Sequence, residues 1–157
     1  DCRIPGLKYN LSSRVILDKN LDIPCSSNIV KFARNYYTII FFNKINKKKI
    51  KILNRLKIKM IRMPLNYKGN FNLKKILEKV KIIGFSRILL ECGNNLTYDF
   101  LKNGLINDFK LFISSKKLGK NGTGSFKKNI KLLLKNGKAK IEKVNLMGDK
   151  LISYKIK

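Results

Sequence analysis

The chain is predicted to be an α/β protein, with a mixed sheet flanked by helices and an antiparallel hairpin at its C-terminal end. Three observations predict this. Short apolar or β-branched runs alternate with stretches of helical periodicity over the first hundred residues, the pattern of strand-helix-strand units. A run of strand patterns follows at the C-terminal end. The composition, 44% hydrophobic, is enough to bury a core despite the charge.

Residues 1–13 form a loop marked by Pro5-Gly6. Arg14 to Asp18 (RVILD) is a strand ending at an acidic residue, followed by a turn at Leu21-Asp22-Ile23-Pro24. Ser26-Ser27-Asn28 offers caps for a short helical segment around Ile29 to Ala33. Tyr36 to Phe42 is the most apolar stretch and is strand-sized, rich in aromatic and β-branched residues. From Asn46 to about Leu56, Ile50, Leu53 and Leu56 recur at helical spacing with lysines between them. Ile58 to Met63 is a strand stopped by Pro64. Asn72 to Ile83 is an amphipathic helix with Leu73, Ile76, Leu77, Val80 and Ile83 on one stripe.

The chain is organised around Arg87 to Leu96 (RILLECGNNL). Ile88 to Leu90 is a short apolar run that suits a strand buried on both faces. Glu91 sits at its end, and Gly93 lets the backbone turn and another molecule approach closely. Asn94 or Asn95 can cap the helix that follows, which runs to about Asn103 and is closed by Gly104. The N–H groups of such a helix start favour an anion such as a phosphate, and the adjacent carboxylate can accept hydrogen bonds from a sugar or a ring N–H. Most strand-glycine-helix junctions hold no ligand, so the spacing alone is a weak signal. Beyond it, Phe109 to Ser115 alternates as a strand does. Gly122 and Gly124 lie in a loop without the strand-turn-helix context of a dinucleotide fingerprint. Ala139 to Leu146 and Lys150 to Lys157 form the closing pair, joined by Met147-Gly148-Asp149.

Composition excludes several function classes. There is no histidine, which removes Ser-His-Asp and Cys-His catalysis and any histidine-ligated metal within this chain. Cys2, Cys25 and Cys92 are too few and too scattered for a disulfide framework or a zinc site, and a reducing cytoplasm is the natural compartment. No apolar run approaches the ~20 residues that span a bilayer, and no signal peptide is seen. The net charge of +27 comes from 30 lysines and 6 arginines against 9 acids. Lysine, asparagine and isoleucine are enriched together and everywhere, turns included. That is a bias of the coding sequence rather than a patch, and it argues against nucleic acid as the main partner. The run Lys47-Lys48-Lys49 reads as a solvated helix face. The positive field should still draw in a phosphate-bearing small ligand.

Four blocks in register resemble the reductase half of the bacterial riboflavin-biosynthesis deaminase-reductase. Cys2-Arg3-Ile4-Pro5-Gly6-Leu7 resembles the family's T-C-R-L-P-G loop. Arg14 to Asp18 with Leu21-x-Ile-Pro24 resembles R-V-V-L-D…L-x-x-P. Glu91-Cys92-Gly93 resembles E-G-G or E-A-G. Gly104 to Asp108 with Lys117-Leu118-Gly119 resembles G-L-V-D-E…L-L-G. The resemblance implies a dihydrofolate-reductase-like fold. It also implies NADPH-dependent reduction of 5-amino-6-(5-phosphoribosylamino)uracil to the ribitylamino product, and a homodimer. By position it puts Arg3 on the substrate phosphate, where a guanidinium can grip bidentately, and Glu91 on the substrate. Gly93, Asn94, Asn95, Leu96, Thr97, Tyr98 and Asp99 fall where the family binds the NADPH diphosphate, and Lys19 is placed to meet that nucleotide's extra phosphate. No catalytic residue and no metal ligand is assigned.

The departures from the family are Asn107-Asp108 for Asp-Glu, Ser115 for Pro, and Asn94 and Asn95 for small or hydroxylated residues. The chain begins at Asp1, without the first strand and its substrate-site lysine. Residues 1–157 are therefore read as a single partial reductase domain lacking its N-terminal strands, the C-terminal part of a longer protein, and the sequence leaves open whether a zinc deaminase domain was fused upstream. The deaminase motifs H-x-E and P-C-x-x-C do not occur here, and Pro24-Cys25-Ser26-Ser27 is not one of them. The rival readings are a reductase of the same fold acting on a pterin or other heterocycle, a basic RNA-binding protein, and a nonfunctional fragment.

Overall fold

A computed structural model describes residues 12–116, 130, 134–135, 137–143 and 147–157. It divides into two compact units, Asp1–Gly84 and Phe85–Lys157.

In the first unit the strands β1 (Arg14–Leu17), β2 (Thr38–Phe42) and β3 (Lys59–Arg62) form a parallel sheet in the order β1-β2-β3. Arg14 is aligned with Thr38, and Ile39 with Lys59. The helices α1 (Asn28–Lys31), α2 (Lys47–Arg55) and α3 (Leu73–Ile82) connect or follow these strands. The middle strand, Thr-Ile-Ile-Phe-Phe, is buried at every position, as a parallel strand covered on both faces should be. Its one polar member, Thr38, donates its hydroxyl hydrogen to the Tyr36 carbonyl at 2.8 Å, so no buried hydroxyl is left unpaired there. Ile40 and Phe42 point into a core with Leu21, Val30, Ala33, Leu53 and Ile58. The alternate row, Ile39 and Phe41, is also fully buried. Two helices start on asparagine caps: Asn46 Oδ1 accepts from Lys49 N at 3.0 Å and Asn72 Oδ1 from Lys75 N at 3.1 Å. Helix α2 ends through Lys57, whose φ of 61° is a left-handed value held by the bond from Ile58 N to Leu53 O, 3.2 Å.

The second unit has α4 (Asn94–Lys102) and an antiparallel sheet of β4 (Asp108–Ile113), β5 (Lys138–Ile141) and β6 (Lys150–Lys155), in the order β4-β6-β5. Phe109 pairs with Tyr154 and Tyr154 with Ala139, which puts these three on one face. There Phe109 and Tyr154 pack with Tyr98, Ile106 and Ile156 around Leu101, Ile130 and Leu134. The expected closing pair is thus present as β5 and β6, with Met147 and Gly148 at positive φ in the connection.

One element differs from its sequence expectation. Arg87 to Cys92 is not a strand among the described residues, and Ile88 and Leu89 are 49% and 73% exposed rather than buried. An apolar run has strand propensity, but a strand also needs a neighbouring edge to complete its hydrogen bonds. The sequence of the run does not say where that edge lies. The glycine loop around Gly122 and Gly124 lies outside the described residues, as does the Cys2–Leu7 block.

Candidate functional site

The segment from Glu91 to Asp99 lies in the second unit. Glu91, Cys92 and Gly93 are exposed, and α4 begins directly after them. Gly93 stands at the N-cap position with φ −72° and ψ 168°. That is ordinary extended backbone, so the glycine is not required for the turn, contrary to the sequence reading. What the glycine leaves is space, since a Cβ built there meets nothing within 4 Å. The cap position also corrects the expectation that Asn94 or Asn95 would occupy it. Both asparagines stand inside the first turn, and no side chain caps the helix. Thr97 holds the turn instead: its backbone N–H donates to the Gly93 carbonyl at 3.1 Å, and its Oγ1 lies 3.2 Å from Cys92 Sγ. Leu96 is half-buried. Tyr98 packs into the core of this unit with the Lys102 ammonium 5.9 Å from its ring centre. At the far end the Asp99 carbonyl accepts from Asn103 N at 3.1 Å, and Gly104, at φ 60°, closes the helix as expected.

The chemistry of this start suits an anion. The first turn presents backbone N–H groups at the positive end of the helix dipole and contains no acidic residue. The missing Cβ at Gly93 leaves its approach open. A dinucleotide's diphosphate therefore fits the residues present. Among the described residues no group of three or more metal-ligating side chains is found.

Lys19 belongs to the first unit, at the carboxyl edge of the parallel sheet. Asp18, directly after β1, accepts Asp22 N at 2.9 Å and Ile23 N at 2.8 Å on its carboxylate. This stabilises the loop that carries buried Leu21 at φ 57°. Lys49 Nζ from α2 donates to the Leu21 carbonyl. The Lys19 carbonyl accepts from both Asn43 N and Lys44 N, at 3.0 and 2.8 Å, and the Lys19 ammonium donates to the Gly69 carbonyl at 3.1 Å. Arg3, expected on the substrate phosphate, lies outside the described residues.

Sequence reading missed the element that Lys19 meets. Leu65 and Phe71 bridge in antiparallel fashion around a tight tip. Asn66 Oδ1 accepts from Lys68 N and Asn70 N, both at 3.0 Å, and Gly69 takes φ 69°. The signal was present as Asn-Tyr-Lys-Gly-Asn between two strand-forming residues, with asparagine and glycine at turn spacing.

The parallel sheet of the first unit and the antiparallel sheet of the second agree with the expected α/β class, and the solved structures that the chain resembles give it a dihydrofolate-reductase-like fold. A family model described as the RibD C-terminal domain matches residues 3–146, and the chain belongs to that family. It is 31% identical over 141 residues to the riboflavin biosynthesis protein RibD of Aquifex aeolicus, covering 90% of this chain and 37% of that protein. With the RibD of Actinobacillus pleuropneumoniae the identity is 26% over 117 residues, 74% of this chain and 30% of the relative. The chain thus spans about a third of the length of these curated relatives. Among solved structures, Acinetobacter baumannii RibD superposes with a TM-score of 0.65 at 19% identity, over 91% of this chain and 37% of that one. A pyrimidine reductase-like protein from Corynebacterium diphtheriae gives a TM-score of 0.66 at 16% identity, over 92% and 61%. At these identities the structures establish the fold.

Proposed function

We propose that residues 1–157 belong to one reductase domain that reduces 5-amino-6-(5-phosphoribosylamino)uracil with NADPH in riboflavin biosynthesis. The observation that carries this is the family match over residues 3–146, joined to a helix start whose residues suit a diphosphate. NADPH, when bound, supplies the hydride that reduces C1′ as the ribose ring opens. The chain's part is positioning, which can supply much of such a rate enhancement without a histidine or a metal.

In this reading Glu91 accepts hydrogen bonds from the substrate, and Arg3 grips its phosphate bidentately. The backbone from Gly93 to Asp99 receives the cofactor's diphosphate, and Lys19 meets the phosphate that distinguishes NADPH from NADH. We place the enzyme in the cytoplasm, as a homodimer in a longer protein with a zinc deaminase domain. No described helix is long and apolar enough to cross a membrane.

The test is NADPH oxidation by the full protein with the phosphoribosylaminouracil as substrate. Turnover is expected with that compound and not with the same ring lacking its phosphoribosyl group. Equal turnover of a pterin would assign the site to another heterocycle reductase. Absence of turnover with each of them would overturn the reading.

A further inference from the structure

The amino edge of the parallel sheet, opposite the end that carries Asp18 and Lys19, gathers a second set of residues. The register aligns Arg14 with Thr38 and Ile39 with Lys59, so the three strands start at one edge. Arg14 opens β1, and its backbone N–H donates to the Tyr37 carbonyl at 2.9 Å. Its guanidinium lies over the Tyr36 ring, 3.8 Å from the centre. The stretch that leads from α1 into β2 carries exposed Arg34, with Phe32 and Tyr37 51% and 46% exposed. Helix α2 ends at exposed Arg55, and exposed Lys57 follows just before β3. Three of the six arginines thus meet at one edge. The charge there is one-sided. From Ile23 to Leu77 the sequence holds 14 lysines and arginines and no acid. The described acids of this unit are Asp18 and Asp22, past the opposite end of β1, and Glu78, within α3.

We propose that this edge binds single-stranded nucleic acid, with the arginines on phosphates and Phe32 and Tyr37 stacked on bases. Each part has a physical reason. A coding bias toward lysine, asparagine and isoleucine does not bring arginines together at one edge. Arg55 would suit the C-terminal end of its helix in any case, so the arrangement rests chiefly on Arg14, Arg34 and the rings. A guanidinium stacked on a ring keeps its N–H donors in its own plane, where a phosphate can meet them. A half-exposed aromatic ring offers a face to any base, whatever the sequence. Paired bases are stacked inside a duplex and cannot reach such a ring, whereas the bases of a single strand can be splayed onto it. Without an acid in the surrounding stretch, nothing in it opposes the phosphates. The surface uses no residue of the proposed reductase site, so either assignment can fail alone.

The experiment measures binding of the full protein to fluorescein-labelled oligo(U), oligo(dT) and an RNA duplex of equal length by anisotropy, over a series of salt concentrations. Both single strands are expected to bind more tightly than the duplex, and the order of the two identifies the preferred sugar. The double variant Arg34→Ala, Arg55→Ala should weaken the single strands about tenfold or more at low salt. It should also lower the slope of log K against log salt by roughly 1.4, the value for two lost phosphate contacts. Phe32→Ala should weaken them by roughly fivefold, within the range for one lost stacked base, and leave the slope unchanged. Phe32→Tyr should restore the affinity, because it keeps the ring. The control is Lys138→Ala with Lys155→Ala, which removes the same charge from the sheet of the second unit and should weaken binding much less. Native affinity and slope in the arginine variant would overturn the proposal. So would a control that loses as much as the arginine pair, since binding would then report net charge alone. Tighter binding to the duplex, or binding to phosphatidylserine vesicles without binding to either single strand, would also overturn it.

Discussion

Gly93 offers a sharp test at the scale of one residue, because its backbone angles and surroundings tolerate a side chain. Gly93→Ala should therefore change stability by less than about 0.5 kcal/mol, yet weaken NADPH binding, since the new methyl group occupies the approach to the helix start. Thermal melting beside nucleotide titration separates the two effects. Glu91→Gln and Arg3→Ala are expected to lower kcat/KM, each by about tenfold or more, the loss of a hydrogen bond to a charged group. Native kinetics in both would refute these assignments. Glu142 gives a pH effect of known sign. Its carboxyl is held below the usual carboxylate range, chiefly by a hydrogen bond from Ser153 and further by Lys110 and Lys140, against the opposing effect of desolvation. A depressed carboxylate stabilises the fold above its unfolded value of 4.5 and loses that contribution as pH falls through the folded value. Denaturation midpoints measured from pH 3 to pH 6 should rise with pH in the native protein and rise less in Glu142→Gln.

At the scale of elements, the caps decide where the helices begin. Asn72→Ala removes the acceptor for Lys75 N and should cost about 1 kcal/mol, seen as a lower denaturation midpoint with an unchanged m-value. The helices that start at Asn46 and Asn72 were legible from their apolar period, although neither asparagine was read as a cap. The stretch from Arg87 to Cys92 was not legible. Its apolar run was read as a buried strand, whereas Ile88 and Leu89 are exposed. The hairpin at Asn66 to Asn70 was missed for the opposite reason, since two short flanking residues carry too little periodicity to announce strands. The helix start at Asn94 was read within a residue of its place, although the wrong residues were assigned to the cap.

At the scale of the molecule, the parallel sheet depends on its middle strand. Phe41→Ala should cost about 3–5 kcal/mol by opening a cavity, because Phe41 is 0% exposed, and unfolding by urea would report it. The charge is a property of the same scale. It is +27 over 157 residues, spread along helices and strands alike, and it strengthens attraction for any anionic ligand in low salt. The affinity for NADPH is expected to fall as salt rises, more steeply than that for NADH, which carries less charge.

The sequence by itself determined the α/β class, the positions of most strands and helices, the family, and the glycine-led helix start. All of these follow from local periodicity, turn chemistry or short motifs, whose causes lie within a few residues. Only the tertiary structure decided that Lys19 reaches a hairpin fifty residues away. It alone showed that Gly93 provides space rather than a turn, and that the apolar run before Glu91 lies exposed. Each of these depends on which backbone groups and surfaces find partners, and partners distant in sequence are chosen by packing.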